Sequence, residues 1–126
     1  MHITSKNTAR RYQRDNITSY LLVSQEATGA NHITTTLVEM ERGGKQHIHS
    51  HVTEQCYFIL EGHGLMTVGD EEREVAAGMS IFIPSQAPHG LVNTGEGVLR
   101  YLSAGSPPFG EDDEKKLWPL SPLGGE

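Results

Sequence analysis

The chain has 126 residues, the size of one ordinary domain, and at that length folding buries roughly two-thirds of the unfolded surface. Ten Lys and Arg stand against 16 Asp and Glu, for a formal net charge of −6. That balance argues against a nucleic-acid binder, which needs a basic footprint, and against an anionic membrane surface. A single cysteine, Cys56, allows no internal disulfide, and a cytoplasmic location is expected.

In chain order, residues 1–16 are polar and irregular apart from a candidate edge strand. No apolar stretch follows them, so no secretory signal is expected. The segment 19–24 reads as a short strand and 28–31 as a turn. Residues 33–41 are rich in β-branched side chains and predict a strand, which Gly43-Gly44 ends. Residues 46–52 alternate, and 55–60 mix aromatic with β-branched side chains; both predict strands. Turns at 61–64 and 69–70 bracket a strand over 65–68 that pairs back through 72–75. Ala77-Gly78 turns the chain into a strand over 80–83, ended by Pro84. Two more strands cover 89–93 and 98–103. Nine or ten short strands at this spacing predict an all-β sandwich or barrel. One domain spans 1–126, with a barrel core at about 18–104 and a tail at 105–126. In the tail, residues 111–117 read as a short helix, acidic at its start and basic at its end. Trp118 follows as a surface plug or partner contact. No apolar run is long enough to span a bilayer.

The seven histidines are unevenly placed, with four between positions 47 and 63. Strand side chains alternate faces, so a regular strand over 46–52 puts His47, His49 and His51 on one side. Three imidazoles on one face are costly in an apolar core without partners, and they suit a metal. By the same alternation Tyr57 and Ile59 share the face of Gln55, and Leu91 and Asn93 share the face of His89. Cys56 alternates away. Arg10, Arg11 and Arg14 read as a solvated or interface segment rather than an anion site. Arg100 suits a carboxylate or phosphate anchor if it faces inward, and its face is open at this point.

These residues resemble the cupin family. Its first motif runs glycine, five residues, His-x-His, three or four residues, glutamate, six residues, glycine. Here Gly43 is followed by five residues, His49-Ser50-His51, three residues, Gln55, six residues and Gly62. The second motif runs glycine, five residues, Pro-x-Gly, two residues, histidine, three residues, asparagine. Here Gly78 leads to Pro84-Ser85-Gln86, then His89 and Asn93. Two positions depart from the pattern. Gln86 replaces a turn glycine, and Gln55 replaces the usual glutamate ligand, as it does in some small cupins.

The resemblance covers residues 33–103 and implies a double-stranded β-helix, or jelly-roll barrel. It also implies one divalent ion (zinc, nickel, iron, manganese or copper) held by His49, His51, Gln55 and His89. His47, Tyr57, Ile59, Leu91 and Asn93 then form the surrounding pocket. A rival register uses His47, His49 and Glu54; it leaves seven residues before Gly62 and three after Gly43, and needs a β-bulge. An amide ligand brings no charge, so the ion keeps its full double charge and favours Lewis-acid chemistry. The expected function is a metal-dependent enzyme acting on a small oxygen-rich molecule such as a sugar acid, by isomerisation or tautomerisation. The alternatives are a non-catalytic metal- or ligand-binding module and an iron-dependent oxygenase. The expected partners are a small-molecule ligand and a second copy of the chain in a homodimer, with no nucleic acid and no membrane.

Overall fold

The computed structural model describes residues 1–109. The helix expected over 111–117 and Trp118 lie outside the described residues. Ten strands follow one another as β1 (Arg10–Arg14), β2 (Ile17–Val23), β3 (Thr34–Met40), β4 (Lys45–His49) and β5 (Glu54–Glu61). The second half holds β6 (His63–Val68), β7 (Glu71–Ala76), β8 (Ser80–Ile83), β9 (His89–Asn93) and β10 (Leu99–Ser106). They form a six-stranded sheet, β1-β2-β3-β10-β5-β8, and a four-stranded sheet, β4-β9-β6-β7, with antiparallel pairing throughout. This is the expected all-β jelly roll.

Alternation builds the core. Burial switches with every residue along β3 and along β5 as far as Leu60, so one face of each strand turns to the opposite sheet. Val38, Met40, Tyr57, Ile59, Leu99 and Tyr101 come from the larger sheet and meet Met66, Val75 and Leu91 from the smaller one. The edge strand β7 exposes Glu71, Glu72, Arg73 and Glu74, a charged border that discourages further strand pairing. Among the described residues no helix is long and apolar enough to cross a membrane.

Three local readings change. The turn at 28–31 is preceded by a one-turn helix, α1 (Gln25–Thr28), capped by the Ser24 side chain, which accepts from the Ala27 N–H, and closed by Gly29 at φ 72°. The core does not stop at about 104, because Phe109 is buried and its N–H donates to Thr34 Oγ1 at 3.0 Å. The strand expected over 46–52 ends at His49, so His51 lies beyond regular structure.

Candidate metal centre

β4 and β9 pair through Lys45↔Val92, Gln46↔Leu91 and His49↔His89, with a register shift between Gln46 and His49. One extra residue in β4 is a bulge. It breaks the alternation on which the common face of His47, His49 and His51 rested. His47 is exposed, His49 half-buried and His51 buried. His89, opposite His49 on the neighbouring strand, is fully buried. Ring centroids lie 4.2 Å apart for His49 and His89, 4.8 Å for His51 and His89, and 5.5 Å for His49 and His51. Their ligating nitrogens all fall within 4.8 Å of one another.

Each ring is oriented by its own backbone. Nδ1 of His49 faces the His47 carbonyl at 2.9 Å, Nδ1 of His51 the Thr53 carbonyl at 2.8 Å, and Nδ1 of His89 the Ala87 carbonyl at 2.9 Å. A carbonyl only accepts, so Nδ1 carries the proton and Nε2 keeps its lone pair. Nε2 of His51 and of His89 are buried with no hydrogen-bond partner, as is Oε1 of Gln55. Gln55 lines the same cavity as His49 and His51, and its Nε2 donates to Ser103 Oγ at 2.8 Å, which leaves Oε1 as the unpartnered end of the amide. Buried polar atoms without partners are rare, and oriented lone pairs converging on one space are what a divalent ion needs. The donor set therefore fits such an ion.

The local electrostatics favour the same state. Burial, together with the nearby His49 and His51 and against the Ala87 carbonyl, lowers the pKa of His89 to about 4. Burial also lowers that of His49, with His51 adding and the His47 carbonyl opposing. At His49 and His89 neutral imidazole, the ligating form, thus persists into mild acid.

A cavity of about 200 Å³ opens beside the histidines. His47, Tyr57 and Gln55 line it. The Tyr57 hydroxyl donates to Gln46 Oε1 at 3.3 Å, and Gln46 Nε2 donates to the Tyr101 hydroxyl at 3.2 Å. Burial pushes the Tyr57 phenol up to about 12, so it stays protonated at neutral pH.

The other pocket assignments need correction. Ile59 and Leu91 are fully buried in the hydrophobic core and do not line the cavity. Asn93 is a strut: its Nδ2 donates to the carbonyls of Met40 (3.0 Å), Glu41 (3.1 Å) and Gly97 (2.9 Å), and its Oδ1 accepts the Gly95 N–H at 2.9 Å. Glu54 is exposed, and neither it nor His47 joins the histidine cluster, which removes the rival register. Arg100 faces outward, paired with Glu39 at 2.7 Å and with Glu61, so it is no anchor inside the barrel. Most of the wall went unrecognised in sequence, including Gln46, Phe109 (its ring 5.1 Å from that of His51), Arg14 and Lys45. Gln46 had no signal, because the bulge alone turns it inward.

Comparison with known proteins agrees with this geometry. A protein of Methanocaldococcus jannaschii is 42% identical over 76 residues, 60% of this chain and 61% of its own. The dimethylsulfoniopropionate lyase DddW of Ruegeria pomeroyi is 34% identical over 62 residues, 49% of this chain and 41% of its own. The matches thus span about three-fifths or less of these curated relatives. An RmlC-like cupin from Shewanella frigidimarina superposes with a TM-score of 0.75 at 18% identity, covering 89% of this chain and 95% of that one. Residues 36–105 match the family model described as a cupin domain, so the chain belongs to the cupin family.

Proposed function

We propose that this cupin is a divalent-metal-dependent enzyme acting on a small oxygen-rich molecule of the sugar-acid kind, by isomerisation or tautomerisation. His49, His51, His89 and Gln55 hold the ion. The observation that carries this reading is the set of buried, partnerless ligand atoms, His51 Nε2, His89 Nε2 and Gln55 Oε1, beside His49. Bound there, a divalent ion polarises a carbonyl or lowers the pKa of a water.

The chain's own residues do the rest. All four ligands are neutral, so the protein does not offset the positive charge that stabilises developing negative charge on a substrate. Tyr57, held protonated and positioned through Gln46 and Tyr101, lines the cavity, and its proton, turned from Gln46 Oε1 to a substrate oxygen, suits general-acid work. Phe109 and the Tyr57–Tyr101 ring pair (centroids 4.4 Å apart) supply apolar wall that limits water. The cavity, about 200 Å³, is smaller than the roughly 300–1,000 Å³ of drug-sized sites, which fits a small substrate.

Metal analysis by mass spectrometry tests the reading. About one zinc, nickel or manganese per chain is expected, since each added ligand atom otherwise stays unsatisfied. His49→Ala and His89→Ala should lose it, and Gln55→Glu should keep it. Iron in its place redirects the search to oxygen-dependent chemistry. Absence of metal after reloading with each candidate ion sinks the proposal.

A further inference from the structure

We infer that Arg14 and Lys45 bind the carboxylate of the substrate at the open side of the metal cavity, making the substrate an organic acid and these two residues its specificity determinants. The inference rests on the function proposed above and names the substrate class for that site.

The placement comes from two sheet edges. β1 is the outermost strand of the six-stranded sheet and β4 the outermost strand of the four-stranded one. Arg14, at the end of β1, and Lys45, at the start of β4, both line the cavity that His49, His51 and Gln55 line. From the sequence, Arg14 reads as part of a solvated or interface segment rather than an anion site. Pairing of the edge strand brings it to the cavity instead.

Charge and position together single these two out: of the described cations without an ion pair, Arg11 lies off the cavity wall, and Arg14 and Lys45 lie on it. Lys6, Arg10, Arg42, Arg73 and Arg100 each form an ion pair. Among the described residues, Arg14 and Lys45 form none, in a chain whose carboxylates outnumber its cations by 16 to 10. Among the described residues, Asp15 is the one carboxylate on the cavity wall and pairs with neither. Two cations less one carboxylate leave the described wall positive, and the metal ligands add no negative charge. Guanidinium presents a planar fork that matches a carboxylate with two hydrogen bonds.

The two cations are also held in relation to each other. The Asn16 carbonyl, in the β1–β2 turn, accepts the Glu41 N–H at 2.8 Å, and Asn16 Nδ2 donates to the Arg42 carbonyl at 3.3 Å. The turn that carries Arg14 is thereby tied to the β3–β4 connection that leads into Lys45. Such preorganisation lowers the entropic cost of capturing a ligand between them.

Calorimetric titration of metal-loaded and metal-stripped protein tests this. The carboxylate probes are galacturonate, gluconate and malonate, set against galactose, sorbitol and inorganic phosphate. Arg14→Gln and Lys45→Gln should each weaken carboxylate binding about tenfold, the loss of one charge-assisted hydrogen bond. They should leave the neutral probes, the metal content and the melting temperature unchanged. Arg14→Lys should restore part of the affinity, and Arg11→Gln, off the cavity wall, should change nothing. If metal-loaded protein binds carboxylates no better than the neutral probes, or if the two glutamine variants match the parent, the anchor is wrong while the metal site stands. Phosphate binding more tightly than every carboxylate overturns the substrate class. If no ion binds, the metal reading fails by itself. The stripped-protein series then decides the anchor: loss of carboxylate binding in the variants supports it, and no binding in the parent overturns it.

Discussion

Gln86 has φ 68°, in the left-handed region where the family motif places glycine. There an ordinary side chain costs roughly 1–2 kcal/mol. The chain accepts this strain at the turn that joins the two motifs, since the Gln86 N–H donates to the His51 carbonyl at 2.7 Å. Gln86→Gly should therefore stabilise the fold by about 0.5–1 kcal/mol, the relief of strain less the greater freedom of glycine in the unfolded chain. Urea denaturation measures it, and unchanged metal content is the expected companion result. Ser103 works at the same scale. It accepts from Gln55 Nε2 at 2.8 Å, which leaves Oε1 as the amide's unpartnered end. Alternation could put Gln55 on the correct face but could not orient its amide.

Among the elements, the junction of β5 and β6 is closely packed. Gly62 has φ 85°, and a Cβ there would lie 2.4 Å from the Val98 carbonyl oxygen and 3.0 Å from Leu99 Cα. Both neighbours are backbone at the start of β10, so neither yields as a side-chain tip would. Gly62→Ala should cost at least about 2 kcal/mol, from strain and overpacking together, seen as a lower denaturation midpoint. The bulge in β4 matters more for the site. Without it Gln46 and His49 would face opposite sides; with it both turn inward. Gln46 then reaches Tyr57 and Tyr101 while His49 meets His89. Asn93 belongs here as well, binding the β3–β4 turn to the β9–β10 turn rather than touching ligand.

For the whole molecule, acid stability follows from the buried histidines. In metal-free protein the folded-state pKa of His89, about 4, lies below the unfolded value of 6.5. The unfolded chain takes up the proton first. Stability is therefore full above pH 6.5 and falls as pH drops toward 4, by an amount on the order of 3 kcal/mol. His49, shifted in the same direction, adds to the loss. Urea melts of stripped protein between pH 7 and 4 should show the decline, and His89→Gln should flatten it. Metal-loaded protein should be more stable at pH 7 and release its ion in acid, because proton and metal compete for Nε2.

Sequence alone carried the strand alternation, the turn glycines, the histidine spacing and hence the family. Each is written within a few residues of chain, where backbone conformation and side-chain period are local properties. The same locality explains what it could not reach. Ile59 and Leu91 lie on the expected face of their strands yet sit too deep to touch the cavity. Arg100 pairs outward because β3 and β5 bring Glu39 and Glu61 to its flanks. Arg14 reaches the cavity because an edge strand folds beside a second sheet, and Phe109 because the chain past β10 returns over His51. Depth, flank and edge arise from register between distant strands, and register is settled only when two sheets close over one core.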